Sequence, residues 1–154
     1  VELIKLNFPD YKFTLKGQDS GGKSLKIFDI IRKKYVNLSP EEWVRQHLIH
    51  YLIRDKAYPE SLTAVEKMVM VNRLQRRFDL LIYSRDHHPL LLAECKSPRV
   101  PVSQEVFDQA ARYNLGIGAR YFVLSNGLQT YCCRVLDKEG TYEFLEDVPY
   151  YEKK

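Results

Sequence analysis

The chain is 154 residues long, 45% apolar and 29% charged, with a formal net charge of +4. This length holds one cored domain, and the composition excludes a wholly disordered chain. No apolar run approaches the ~20 residues that a membrane helix needs, so no membrane partner is expected.

The amino terminus, Val1-Glu2-Leu3-Ile4-Lys5, has neither an initiator Met nor the basic, apolar and small-residue succession of a signal peptide. A processed or excised chain in the cytoplasm is the expectation. Residues 1–24 read as an arm or edge segment that includes the loop Lys16-Gly17-Gln18-Asp19-Ser20-Gly21-Gly22-Lys23. "LKIFD" and "KKYVNL" then read as short strands. They open a single domain over residues 25–150, with 151–154 left as a tail.

"LSPEEWVRQHLIHYLIRDKAYP" predicts a helix with Ser39 as N-cap and Pro40 at its first position. Glu42, three residues past the cap, completes a capping box. Val44, Leu48, Tyr51 and Leu52 repeat at helical spacing, and Pro59 marks the exit. "LTAVEKMVMV", "RFDLLIY" and "PLLLAEC" follow as strands in a meander. A second helix is predicted around Ser103–Leu115, with Ser103 as cap and Phe107, Ala110 and Ala111 as apolar members. "ARYFVLS" and "LQTYCCRVL" flank Asn126-Gly127, a two-residue hairpin signal, and "TYEFLED" reads as a last edge strand. The fold class is therefore α/β, a mixed central sheet flanked by helices.

Charge is unevenly spread. Residues 1–77 hold 15 Lys/Arg against 9 Asp/Glu, whereas residues 78–154 hold 9 against 11. The basic excess includes Arg32-Lys33-Lys34 and Arg73, Arg76 and Arg77, which precede the Asp79 strand. It suits either a polyanion partner or a solvated basic surface. The 3 cysteines form no Cys-x-x-Cys pair, as expected of reduced thiols, and Cys95 reads as a small strand residue. His47 and His50 lack a third metal ligand and read as surface or half-buried residues, while His87-His88 read as a solvated turn. Most of the 11 tyrosines read as amphipathic packing residues.

The strongest chemical signal is a pair of carboxylates in oily strands. Asp79 opens Leu80-Leu81-Ile82, and Glu94 and Lys96 close Leu90-Leu91-Leu92-Ala93. A two-residue turn at Asp86-His87 sets Asp79 opposite Glu94. Alternation then puts Glu94 and Lys96 on one face, beside Asp79, with the Cys95 carbonyl adjacent. Facing carboxylates repel unless a cation or proton lies between them. An all-oxygen pair favours Mg²⁺ or Mn²⁺, with Lys96 placed to act on the attacking water or a phosphate. The alternative is plain ion pairing, Lys96 with Asp79 and Glu94 with an arginine. Glu66, in a strand ahead of Asp79, is either a secondary acid or a solvent-facing residue.

Asp79 followed by Glu94-Cys95-Lys96 resembles the D…E-x-K form of the PD-(D/E)XK nuclease signature. The ordered segments "SPEEWVRQHLIHYLI", "RFDLLIY", "PLLLAECKSP", "EVFDQAARYN" and "YFVLSNGLQTYCC" resemble the amino-terminal nuclease domain of type I restriction enzyme R subunits. The likeness covers roughly residues 25–148 and implies a restriction-endonuclease-like core. It also implies that Asp79, Glu94 and the Cys95 carbonyl bind a divalent metal and that Lys96 is the catalytic lysine. Gln109 would position the phosphate or the lysine, and Tyr113, one turn on, would line the same groove. Glu42 matches an early helical acid that reaches the metal through water, beside its reading as a capping residue. Arg73, Arg76 and Arg77 would grip the phosphate backbone.

The likeness does not extend to the helicase-type motor that such subunits carry, so a stand-alone member or an excised domain is the expectation. The function expected is a metal-dependent DNA endonuclease domain. The alternative is a non-catalytic nucleic-acid-binding module of a restriction or defence assembly. DNA is the expected partner, with helicase, methyltransferase or specificity subunits beside it.

Overall fold

The computed structural model describes residues 3–17 and 25–152, so most of the predicted Lys16–Lys23 loop lies outside the described residues. Strands β1 (Leu15–Lys16), β2 (Lys26–Asp29) and β3 (Lys34–Asn37) form a small antiparallel sheet. The amino-terminal arm is docked. Leu6 is buried, the Asn7 N–H donates to the Gly127 carbonyl at 2.7 Å, and Trp43 Nε1 donates to the Ile4 carbonyl at 2.8 Å.

Helix α1 (Pro40–His50) starts where predicted, with the Ser39 hydroxyl accepting from the Glu42 N–H at 3.0 Å, and runs on into a π-helical turn, Tyr51–Asp55. The second half of the capping box does not form, because the Glu42 carboxylate turns instead to Arg32, Arg45 and Gln46. His47 and His50 are buried rather than superficial, packed among Phe13, Trp43 and Tyr11 of the arm and helix.

The main sheet has six strands in chain order: β4 (Thr63–Val71), β5 (Leu74–Tyr83), β6 (Pro89–Cys95), β7 (Tyr121–Ser125), β8 (Thr130–Val135) and β9 (Tyr142–Leu145). Only β6 and β7 run parallel, and helix α2 (Gln104–Ile117) makes their crossover. Leu80, Ile82, Leu91, Ala93 and Val123 pack toward Val44, Leu48 and Leu52 of α1. The alternate residues Leu81, Leu92, Phe122 and Leu124 pack toward Phe107 and Ala110 of α2. Helix cover on both faces is why these strands are continuously apolar. Each fully buried Leu, Ile or Phe adds about 1.5–3 kcal/mol of transfer free energy. No helix among the described residues is long and apolar enough to cross a membrane.

Two turns, both away from the Asp79 level, differ from the sequence expectation. Ser125 pairs with Thr130, so Asn126-Gly127 opens a four-residue loop whose Asn126 Oδ1 accepts from the Leu128 and Gln129 N–H groups. Asn72 and Arg73, at φ 49° and 66°, make a tight two-residue connection between β4 and β5. Consequently β5 begins at Leu74, and Arg76 and Arg77 lie within the strand rather than ahead of it.

Candidate functional site

The pairs Leu80↔Ala93, Leu81↔Leu92 and Ile82↔Leu91 set a register that continues to Asp79 opposite Glu94. This is the predicted register reached by another route. The Ser84 N–H donates to the His88 carbonyl at 2.8 Å, leaving Arg85-Asp86-His87 as a three-residue loop with His87 at φ 64°. A register shift between Ile82 and Tyr83 then leaves Leu90 as an extra residue and restores the pairing below it.

Facing changes at Asp79. Strict alternation would put Phe78 on the α1 side with Leu80, yet Phe78 packs on the α2 side. Glu66, across from Asp79, has φ 53°, and beyond it Val69 and Val71 likewise pack toward α2 while Val65 packs toward α1. Both strands thus swivel at one level, and Asp79 sits at the pivot between the two faces. Its Oδ2 accepts from the Cys95 N–H at 2.7 Å, and its Oδ1 meets Arg45 Nη1 at 3.2 Å.

Two clefts meet at this pivot. One, of about 400 Å³, is lined by Glu94, Lys96, Gln109, Tyr113, Arg76 and Arg77. The other, of about 360 Å³, is lined by Asp79, Cys95, Glu42, Glu66, Arg45 and Arg32, among others. Glu94 and Lys96 therefore share a face as expected, whereas Asp79 opens on the α1 side and reaches Glu94 across the pivot. Arg73 lies in neither cleft, out at the β4–β5 turn. Arg76 stacks over the Tyr113 ring at 4.6 Å, which ties the ribbon to α2.

Electrostatically the clefts differ. Burial, then the charge of Asp79, pushes the Glu94 carboxyl up to about 8, with Lys96 pulling the other way. Lys96 makes no ion pair among the described residues, which leaves its ammonium facing the cleft with Glu94 as its charged neighbour. Neither pairing of the plain ion-pair alternative is present. Arg45 takes Asp79 instead, and among the described residues no arginine pairs with Glu94. Burial also pushes the Cys95 thiol up, so it carries no thiolate.

The α1-side cleft holds a network that the sequence reading did not identify. Arg45 bonds Glu42 at 2.6 and 2.9 Å, Glu66 at 3.1 Å and Asp79 at 3.2 Å. Arg32 bonds Glu42 at 3.0 Å and Asp29 at 2.7 Å, and Gln46 bridges Asp29 and Glu42. Burial alone would raise the Glu42 pKa, but Arg45, Gln46 and Arg32 outweigh it and hold the carboxyl below its ordinary range. Glu66 is exposed in the main, with its carboxylate drawn to the two arginines. The available signal was the spacing Glu42, Arg45, Gln46, which is one helical face at i, i+3 and i+4.

Among the described residues, no three His, Cys, Asp or Glu side chains converge as a ready cage for a metal. The donor chemistry nonetheless fits a hard divalent cation. Asp79 and Glu94 are adjoining carboxylates, and Glu94 holds a proton that such a cation would displace. Arg45 neutralises the far oxygen of Asp79.

A mixed six-stranded sheet between two helices, with an acid, acid and lysine at its centre, defines a restriction-endonuclease-like α/β domain. The chain belongs to the family described as the type I restriction enzyme R protein N terminus, whose profile matches residues 40–149. A solved structure described as a fragment of a putative HsdR subunit of a type I restriction enzyme from Vibrio vulnificus YJ016 has the same fold. It superposes with a TM-score of 0.51 at 19% identity, over 73% of this chain and 24% of that one. No curated protein matches the chain.

Proposed function

We propose that this chain is the metal-dependent DNA endonuclease domain of a type I restriction R protein. The observation that carries the reading is the meeting of Asp79 and Glu94 at the pivot with Lys96 and Gln109 in the same cleft as Glu94. Asp79, Glu94 and the Cys95 carbonyl would hold Mg²⁺ or Mn²⁺, which would supply charge neutralisation and a more acidic water. Glu42 and Glu66 contribute at the rim, Glu42 through water. Lys96 orients the attacking water and stabilises charge on the phosphate, and Gln109 fixes the lysine or a phosphate oxygen. Arg76 and Arg77 bind the flanking phosphates, Arg73 reaches further along the backbone, and Tyr113 stacks beneath Arg76. Other subunits of a restriction system, a motor and a methyltransferase or specificity protein, are the proposed partners in the cytoplasm.

A second reading, a non-catalytic nucleic-acid-binding module, draws on Arg45. Both Asp79 oxygens are engaged by Arg45 and the Cys95 N–H, and this occupancy competes with a metal. Incubating the chain with supercoiled and linear DNA, with and without Mg²⁺ or Mn²⁺, separates the two. Metal-dependent cleavage that is lost in Asp79→Asn and Lys96→Ala supports the nuclease. Cleavage that persists in both variants refutes the site, and salt-sensitive binding without cleavage supports the module.

A further inference from the structure

We infer that the uncovered face of the β4–β5 ribbon is an arm that enters the major groove of duplex DNA, an extension that rests on the DNA reading above. Beyond the pivot the ribbon has one covered face, where Val69, Val71 and Phe78 pack toward α2. Alternation puts Met68 and Met70 on the other face, and they are 44% and 59% exposed. Their cross-strand partners there are Arg77 and Gln75, both exposed as well. Two exposed methionines on one sheet face are a deformable apolar surface that calls for an occupant.

Charge says which occupant. Residues 67–78 contain Lys67, Arg73, Arg76 and Arg77 and no Asp or Glu. Lys67 and Arg76 pair with Phe78 and Val69 on the α2 side. The cations beside the apolar strip are therefore Arg77 and, at its end, the turn residue Arg73, with no acid in residues 67–78, which matches phosphates rather than a mixed-charge protein surface. A two-stranded ribbon fits a major groove about 12 Å wide, where apolar side chains meet thymine methyl groups. The ribbon is also continuous with the cleft, because Arg76 and Arg77 line it together with Glu94 and Lys96. At about 3.4 Å per residue, the Leu74 end of β5 stands about 17 Å from Asp79. That is about half a turn of duplex, so DNA seated on the ribbon runs into the carboxylate pair.

The test is fluorescence anisotropy of a labelled duplex with the full chain in chelator, across salt, for the wild type and two double variants. Circular dichroism melts verify that both variants fold. Arg73→Ala/Arg77→Ala should weaken binding about tenfold or more at low salt and flatten the log–log salt slope by about 2. Met68→Gln/Met70→Gln should weaken binding several-fold with the slope unchanged. Wild-type affinity in both folded variants overturns the inference and marks the methionine face as a protein-docking surface. Absence of duplex binding by the wild type overturns it too. Cleavage reports separately. A chain that cuts DNA while both ribbon variants bind normally keeps the nuclease and loses the arm. Ribbon-dependent binding without cleavage keeps the arm and loses the nuclease.

Discussion

Replacing Glu94 by Gln should stabilise the metal-free protein in alkali and do little in acid. Glu94 is moved from 4.5 up to about 8, by burial first and by Asp79 second. Between those limits the folded chain keeps a proton that the unfolded chain has released. Stability therefore falls as pH rises through this window, by at most about 1.4 kcal/mol per pH unit. From pH 6 to pH 8 the fall amounts to about 2 kcal/mol. Urea unfolding of the wild type and Glu94→Gln in chelator at pH 6, 7, 8 and 9 measures it. The difference between the two curves cancels the buried histidines, which titrate identically in both. A difference that stays flat from pH 6 to pH 9 would refute the packing of Glu94 against Asp79. Added Mg²⁺ should remove most of the slope, because a cation takes the place of the proton.

Arg45→Met leaves Glu42, only 7% exposed at its side chain, with Arg32 and Gln46 alone. It should cost about 3 kcal/mol in chemical denaturation, a fall in Tm of about 6–12 °C. His50 is lowered to about 4 by burial, then by Arg54 and His47, so the unfolded chain takes up protons first in acid. Stability should fall as pH drops from about 6.5 to 4, and His50→Gln should flatten that slope in urea melts. Gly118 ends α2 at φ 77° and has open space where a Cβ would project, so Gly118→Ala should cost about 1 kcal/mol in thermal melts from backbone strain alone. Gly118→Asn should recover part of that loss.

Much of the sheet was legible because it is buried on both sides. The runs around Leu80–Ile82, Leu90–Ala93 and Phe122–Leu124 are strands that need no polar face. The register that sets Asp79 across from Glu94 was legible from arithmetic, although neither the turn geometry behind it nor the opening of Asp79 on the α1 side was. A three-residue loop and the bulge at Leu90 offset one another, and the sequence marks neither. The pivot was hidden for a different reason. Periodicity counts residues and carries no sign of a strand that changes faces, and Glu66 is not a residue type that advertises a positive φ. The burial of His47 and His50 depends on the amino-terminal arm folding back over α1, a tertiary event that local composition does not encode.

The charges at the pivot also matter before the chain has folded. Leu80-Leu81-Ile82-Tyr83 and Leu90-Leu91-Leu92-Ala93 are short, β-prone and uncharged, the composition that stacks into intermolecular sheets when exposed. Asp79 closes the first run at its amino end, and Glu94 and Lys96 close the second at its carboxyl end. On the ribosome, before any partner strand exists, these three act as gatekeepers that limit self-association of the two stickiest segments. Alanine at these positions removes a solubility guard along with the site, whereas Asn or Gln keeps a polar stop in place. A drop in soluble yield of Asp79→Ala relative to Asp79→Asn would thus report on the nascent chain rather than on the folded domain.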